Sequence, residues 1–400
     1  MTMRIKPLLA GAGALALATT LVGAPAQAHS EKPRNQEPHV LASGLAGPLT
    51  LAVGQRRDVY VTEVFAPRPT LTKVDRRGAE STVYEMPNPP GTTELVGVAY
   101  DRGSTYHVET DHAAEGGPTS HVVKTNRNGQ RTIVSDDLWD HEARRNPDAG
   151  QTYGFHGLDR QCAAEVAAYE APENVPDIFT GYRGIVESHA YQLEVHLGTI
   201  YVADAAANAV LKVDEHTKRI STVAAIPASP IRFTDELEEF VEDTFGGDFP
   251  GCTVGERYAP EPVPTDIAVG RRGELFVSTL QGGAGEVVPI SRVHRIEQRR
   301  GPDRVTTVAR GLFGATGLDR TRNGDLYVAE MFGDEISVLE GRDVRHAHPG
   351  HLARAHTLFE AETPADVQVS GRHLYATVNA TAEPEVGGDL VRYELKHHGR

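Results

Sequence analysis

The 400-residue chain is short of positive charge: 40 Lys and Arg stand against 55 Asp and Glu, a formal net charge of −15. A nucleic-acid binder needs a basic face, and this balance excludes one. Trp139 is the single tryptophan and there are only four methionines, so aromatic sugar platforms and methyl-ammonium cages have little to be built from. Cysteine is nearly absent: Cys162 and Cys252 are too few for a structural zinc site. Beyond residue 28 no stretch approaches the about 18 consecutive apolar residues that a membrane-spanning helix needs, so no membrane span is expected in the mature chain. There is no GxSxG, no Walker loop and no dinucleotide fingerprint leading from strand to helix, so serine-nucleophile, phosphoryl and hydride chemistry are not expected.

What is present begins with an export signal. Arg4 and Lys6 form a basic start, residues 7–23 (PLLAGAGALALATTLVG) an apolar stretch, and Ala26-Gln27-Ala28 a small-x-small cleavage site before His29. Residues 1–28 read as a signal peptide, and the mature protein as secreted. In an oxidising compartment an even pair of cysteines is expected to bridge, so Cys162 and Cys252 are assigned as a disulfide.

Repetition then decides the fold. A short apolar strand, a tight turn and a strand centred on an aromatic recur six times: DVYVTE (58–63), STYHVET (104–110), TIYVAD (199–204), ELFVST (274–279), DLYVAE (325–330) and HLYATVN (373–379). Alternation and β-branched content mark these as strands. Each is preceded by one strand and followed by a third such as AVLKVD (209–214), and five units carry a fourth, such as ISTVAA (220–225). Four-stranded units of roughly 40–50 residues predict a β-propeller. The expected fold is all-β, a single six-bladed propeller over residues 29–400. The sixth unit stops after its third strand, and PHVLASGL (38–45) resembles the fourth-strand sequence RVTTVARGL (304–312). Residues 39–43 are therefore expected to supply the missing strand and close the ring.

The stretches VLASGLAGPLTLAV, GTIYVADAAANAVLKVD (198–214) and PVPTDIAVGRRGELFVSTLQG (262–282) resemble the ScyD/ScyE family of exported bacterial proteins and, more distantly, NHL and gluconolactonase-type six-bladed propellers. The resemblance covers nearly the whole mature chain and implies the fold and export, but no established reaction. The chain departs from the family at two segments. Glu187-Ser188-His189-Ala190-Tyr191-Gln192 stands where the family has Asp-Ser-Asn-Pro-Tyr-Gly, and Gly282-Gly283-Ala284-Gly285 replaces an aromatic-proline run.

Loop lengths separate the two faces. First-to-second turns are short, whereas the long second-to-third loops and two large inserts, about 139–186 and 227–262, gather on one face and are expected to form a lid. Helices are expected at Gln161 to Glu170 and, capped by Thr234, at Asp235 to Phe245. One cysteine lies in each insert, so the disulfide would pin the lid halves. Around the mouth beneath, Glu94, His189, Asp266 and Asp366 lie at the starts of first strands and form the candidate ligand site; Asp266, Asp366 and Glu94 are candidate ligands for Ca²⁺, which takes about six to eight oxygens. Otherwise these acids would be compensated by arginines from neighbouring loops, such as Arg68 or Arg232, or simply solvated. Glu63, Asp204 and Glu330, after second strands, are expected to bind turn backbone. His346, His348, His351 and His356 match no catalytic zinc spacing.

Two functions follow. The first is a secreted monomer that binds a small molecule or an extracellular protein on the lidded face without catalysis. The alternative is a calcium-dependent hydrolase or lyase, lactonase-like, with a carboxylate-ringed mouth.

Overall fold

The computed structural model describes residues 37–170, 175, 177–298, 304–383 and 386–395; the signal-peptide reading falls outside them. The described residues include seven four-stranded antiparallel sheets. Six follow one another as blades, with first strands Pro48–Val53, Thr93–Asp101, Ala190–His196, Pro264–Val269, Ala315–Arg320 and Asp366–Ser370. We number the blades 1 to 6 from these strands.

An apolar cluster fills every junction between neighbouring blades. Leu71 and Met86 meet Leu95 and Val98 between blades 1 and 2, for example, and Tyr375 and Leu390 meet Leu51 and Val61 between blades 6 and 1. Corresponding clusters lie between the other four neighbouring pairs. Six junctions for six blades make a closed six-bladed propeller. The ring is joined as the sequence implies: His39–Leu45 pairs antiparallel with the third strand of blade 6, from His39 opposite Arg392 to Leu45 opposite Gly388. This strand covers an edge that would otherwise be open for pairing with another chain.

The inserts join more intimately than expected. Thr152–His156 of the first pairs on one side with Tyr182–Arg183 and on the other with Arg257–Ala259 of the second, which in turn pairs with Ile231–Arg232. The lid is thus a seventh sheet shared by both inserts, with its own core of Phe155, Val166, Phe179, Phe233, Leu237, Val241 and Phe249. Helix α1 (Leu138–Arg145) packs through Leu138 into the core between blades 2 and 3, and two further helices frame the lid: α2 (Arg160–Tyr169) and α3 (Asp235–Phe245). Asp159 caps α2 by accepting from Gln161 N–H and Cys162 N–H at 2.8 and 3.0 Å. Thr234 takes the N-cap position of α3, but its side chain makes no capping bond. Cys162 and Cys252 are bridged, with Cα atoms 5.8 Å apart. No helix among the described residues is long and apolar enough to cross a membrane.

Candidate functional site

The innermost strand of each blade has a free edge, so its N–H groups need acceptors other than a next strand. At one level of the channel three side chains supply them, each serving two blades. Asp366 accepts from Val367 N–H of its own strand and from Leu51 N–H of blade 1 at 2.6 and 2.7 Å. Asp266 accepts from Ile267 N–H and from Leu318 N–H of blade 5, both at 2.6 Å. Gln192 Oε1 accepts from Leu193 N–H and from Val98 N–H of blade 2, both at 2.9 Å. Blades 6, 4 and 3 thus cap blades 1, 5 and 2, where the residue before the capped N–H is small: Thr50, Gly317 and Gly97. A Cβ at Gly317 would lie 2.6 Å from the Asp366 Cα, and one at Gly97 3.0 Å from the Tyr191 carbonyl oxygen. Glycine at these two positions lets adjacent inner strands close on each other.

At this level the channel is bridged. Gln192 Nε2 donates to Asp366 Oδ2 at 2.9 Å, and the carboxyls of Asp366 and Asp266 lie within electrostatic reach of each other. Burial pushes both carboxyls up, and the negative charge of Asp366 adds to the effect at Asp266. Elsewhere in the channel Asp319, raised by burial to about 6, caps Arg320 N–H and Val369 N–H, both at 2.6 Å. Burial likewise raises Glu194 to about 8.

Glu94 and His189 form a separate group at the mouth. His189 Nε2 lies 3.0 Å from Glu94 Oε1, and His112 Nε2 lies 3.7 Å from Glu94 Oε2. The three side chains remain 24–31 % exposed. Burial alone would raise Glu94, but the His189 and His112 imidazoles outweigh it and hold the carboxyl well below its usual range. Burial opposes the charge on His189, and Glu94 more than offsets it, raising this imidazole to about 9. Tyr191 packs edge-on to His189 with ring centroids 6.0 Å apart and lies within electrostatic reach of Asp366, Asp266 and Glu94, linking the two groups.

The four predicted residues therefore form two pairs. The oxygens of Asp266 and Asp366 are committed to backbone N–H groups and, at Asp366, to Gln192, and the Glu94 oxygens to imidazoles. This donor set does not fit a Ca²⁺ centre; among the described residues no group of three or more His, Cys, Asp or Glu is arranged to hold a metal ion. The expected arginine partners are elsewhere: Arg68 pairs with Glu85 at 3.0 Å, and Arg232 donates to the Gly255 carbonyl at 2.7 Å. Glu63, Asp204 and Glu330 bind loop backbone as expected, accepting from Ala46, His189 and Phe313 N–H at 2.9, 2.7 and 2.6 Å. Asp204 also accepts from Ser188 Oγ at 2.6 Å, which fixes the segment carrying His189. Beside it, beneath the lid, Glu142 is raised to about 8 by burial and then by the charges of Asp204 and Asp148.

Sequence reasoning missed His112, Tyr191 and Gln192. Two signals were available. His112 directly follows the second strand of blade 2, at the same mouth as Glu94, and Gln192 aligns with Asp266 and Asp366 as the polar residue before Leu193, Ile267 and Val367.

No family profile and no curated protein matches this sequence. Solved structures do. A Thermus thermophilus protein described as a candidate oxidoreductase (glucose dehydrogenase) is 19 % identical with a TM-score of 0.51, the alignment covering 90 % of this chain and all of that one. A Xanthomonas campestris gluconolactonase is 12 % identical with a TM-score of 0.48, over 93 % of this chain and 99 % of that one. A virginiamycin B lyase from Staphylococcus aureus is 12 % identical with a TM-score of 0.46, over 89 % and 98 %. At these identities the likeness concerns the fold, and the class defined is a lidded six-bladed β-propeller.

Proposed function

We propose that this chain is a secreted propeller of ScyD/ScyE type that binds a small molecule at its lidded mouth without catalysing a reaction. The observation that carries the reading is the partly exposed Glu94 carboxylate held between His189 and His112, above acids already committed to backbone. With its pKa raised to about 9, His189 is a cation at neutral pH. It is then a weak general base but a good hydrogen-bond donor. Its Nε2–H donates to Glu94, and its Nδ1–H has no partner among the described residues. The ligand class this suits presents oxygen acceptors, as hydroxy acids, sugars and lactones do. The alternative, a calcium-dependent hydrolase or lyase, would need oxygens that Asp266 and Asp366 have already committed.

The test is to add a panel of small hydroxy acids, sugars and lactones to the secreted protein while following the His189 and His112 imidazole resonances and, in the same samples, lactone hydrolysis. Binding predicts saturable shifts with no turnover, lost in Glu94→Gln. If no probe moves these resonances, the binding reading fails; turnover that depends on His189 would replace it with an enzyme.

A further inference from the structure

A second site lies on the opposite face, in the turn between the third and fourth strands of blade 5. Residues 341–356, GRDVRHAHPGHLARAH, contain three arginines and four histidines against one acid, Asp343, in a chain whose net charge is −15. The turn folds as a short helix, Gly341–His346, followed by a reversal in which His348 N–H and His351 N–H each donate to the other residue's carbonyl at 2.9 and 2.8 Å. The helix is anchored from below: Gly341 N–H donates to Asp325 Oδ1 at 2.7 Å. Between helix and reversal opens a hollow of about 560 Å³ lined by Arg342, Asp343, His346, His351, Leu352 and Arg354.

The cations around this hollow are not equivalent. Arg345 is turned away, donating to the Asn323 carbonyl at 2.9 Å. Arg354 has no hydrogen bond or ion pair with any described residue, and Arg342 makes only an exposed 3.4 Å contact with its neighbour Asp343. Two guanidiniums with open donor edges thus share one hollow with two imidazoles. His346 is oriented by Nδ1–H donating to the Arg342 carbonyl at 2.8 Å, which leaves Nε2 as its free edge. A guanidinium presents paired N–H donors in a plane that matches two oxygens of a phosphate, sulfate or carboxylate. The single carboxylate, Asp343, does not neutralise the two arginines.

We propose that this hollow is an oxyanion-binding site, taking a phosphate or sulfate group through Arg342 and Arg354 with His346 and His351 beside it. The hollow exceeds a bare tetrahedral anion, so the natural ligand is a small molecule carrying such a group, with Leu352 as its apolar wall. The site is independent of the lidded mouth.

The experiment is titration calorimetry of the full mature chain at neutral pH with inorganic phosphate and with sulfate, comparing the parent, Arg342→Gln, Arg354→Gln, the double variant and Arg345→Gln. The substituted arginines are exposed, and matching melting temperatures check that the variants fold. Saturable binding is expected in the parent and in Arg345→Gln, weakened about tenfold by each of the other single changes and abolished in the double variant. The proposal is overturned by the absence of saturable binding at millimolar anion, or by equal affinity in the double variant. It is also overturned if Zn²⁺ binds with the same affinity in the parent and the double variant while neither anion binds, because the imidazoles alone would then be the ligands.

Discussion

Gln192 donates its side-chain amide to Asp366 across the channel at 2.9 Å, joining blade 3 to blade 6 on the far side of the ring. The same Gln192 accepts two backbone N–H groups through Oε1. Replacing it with leucine keeps the volume roughly constant and strands the buried N–H groups of Val98 and Leu193. Each unsatisfied group costs about 1–3 kcal/mol. Gln192→Leu is expected to shift the chemical denaturation midpoint accordingly; a midpoint equal to the parent's would mean that water replaces the amide.

Glu142 gives a pH-dependent prediction. Its folded pKa is about 8, above the value in an unfolded chain, so the folded state holds a proton that the unfolded state has lost between those two values. Stability from this group is complete below about pH 4.5 and falls as pH rises towards 8. Glu142→Gln removes the penalty. It should be near neutral at pH 5 and stabilising by roughly 1–3 kcal/mol at pH 8, measured as denaturation midpoints at both values. A gain of the same size at pH 5 would refute the linkage.

The two members of the mouth pair have opposite dependences. His189 is raised to about 9, so its contribution is complete below its unfolded pKa near 6.5 and disappears as pH rises through 9. Glu94 is depressed, so its contribution is present above its unfolded pKa and is lost only in strong acid. The stability difference between the parent and His189→Gln should therefore be largest near pH 6 and vanish near pH 10. A constant difference across that range would show that His189 acts through packing alone.

The disulfide closes a span of 90 residues. The chain-entropy relation gives about 4–5 kcal/mol for such a loop. The inserts also share a sheet and an aromatic core, so the paired change Cys162→Ser with Cys252→Ser is expected to loosen the lid before the blades. Limited proteolysis should cut within the inserts first and leave the blades protected. Simultaneous digestion of blades and lid would show that the bridge supports the whole ring.

Ring closure is tested by a chain beginning at Ala46. It leaves the third strand of blade 6 with an open edge where His39–Leu45 paired, and it removes Ala42 and Leu45 from the core between blades 6 and 1. A sharply lower melting temperature and self-association are expected. A truncated protein that melts like the parent and stays monodisperse would show that closure does not depend on this strand.

The sequence by itself determined the blade number, the closing strand, the placing of long loops on one face and the cysteine partnership. These are local or periodic properties: alternation reports burial on a sheet, and a missing fourth strand at one end is matched by a surplus strand at the other. It also made Asp204 and Glu330 legible as turn-binding acids, because such bonds stay within one blade, 15 and 17 residues apart, and recur with the repeat. Only the tertiary structure decided what Asp266 and Asp366 do. An acid at the start of an inner strand reads equally as a ligand for a cation or as an acceptor for a neighbouring strand's N–H. The choice depends on strands distant in sequence: Leu51 bonds to Asp366 across 315 positions. The same holds for the mouth, where Glu94 and His189, 95 residues apart, meet only because consecutive blades bring the starts of their inner strands together.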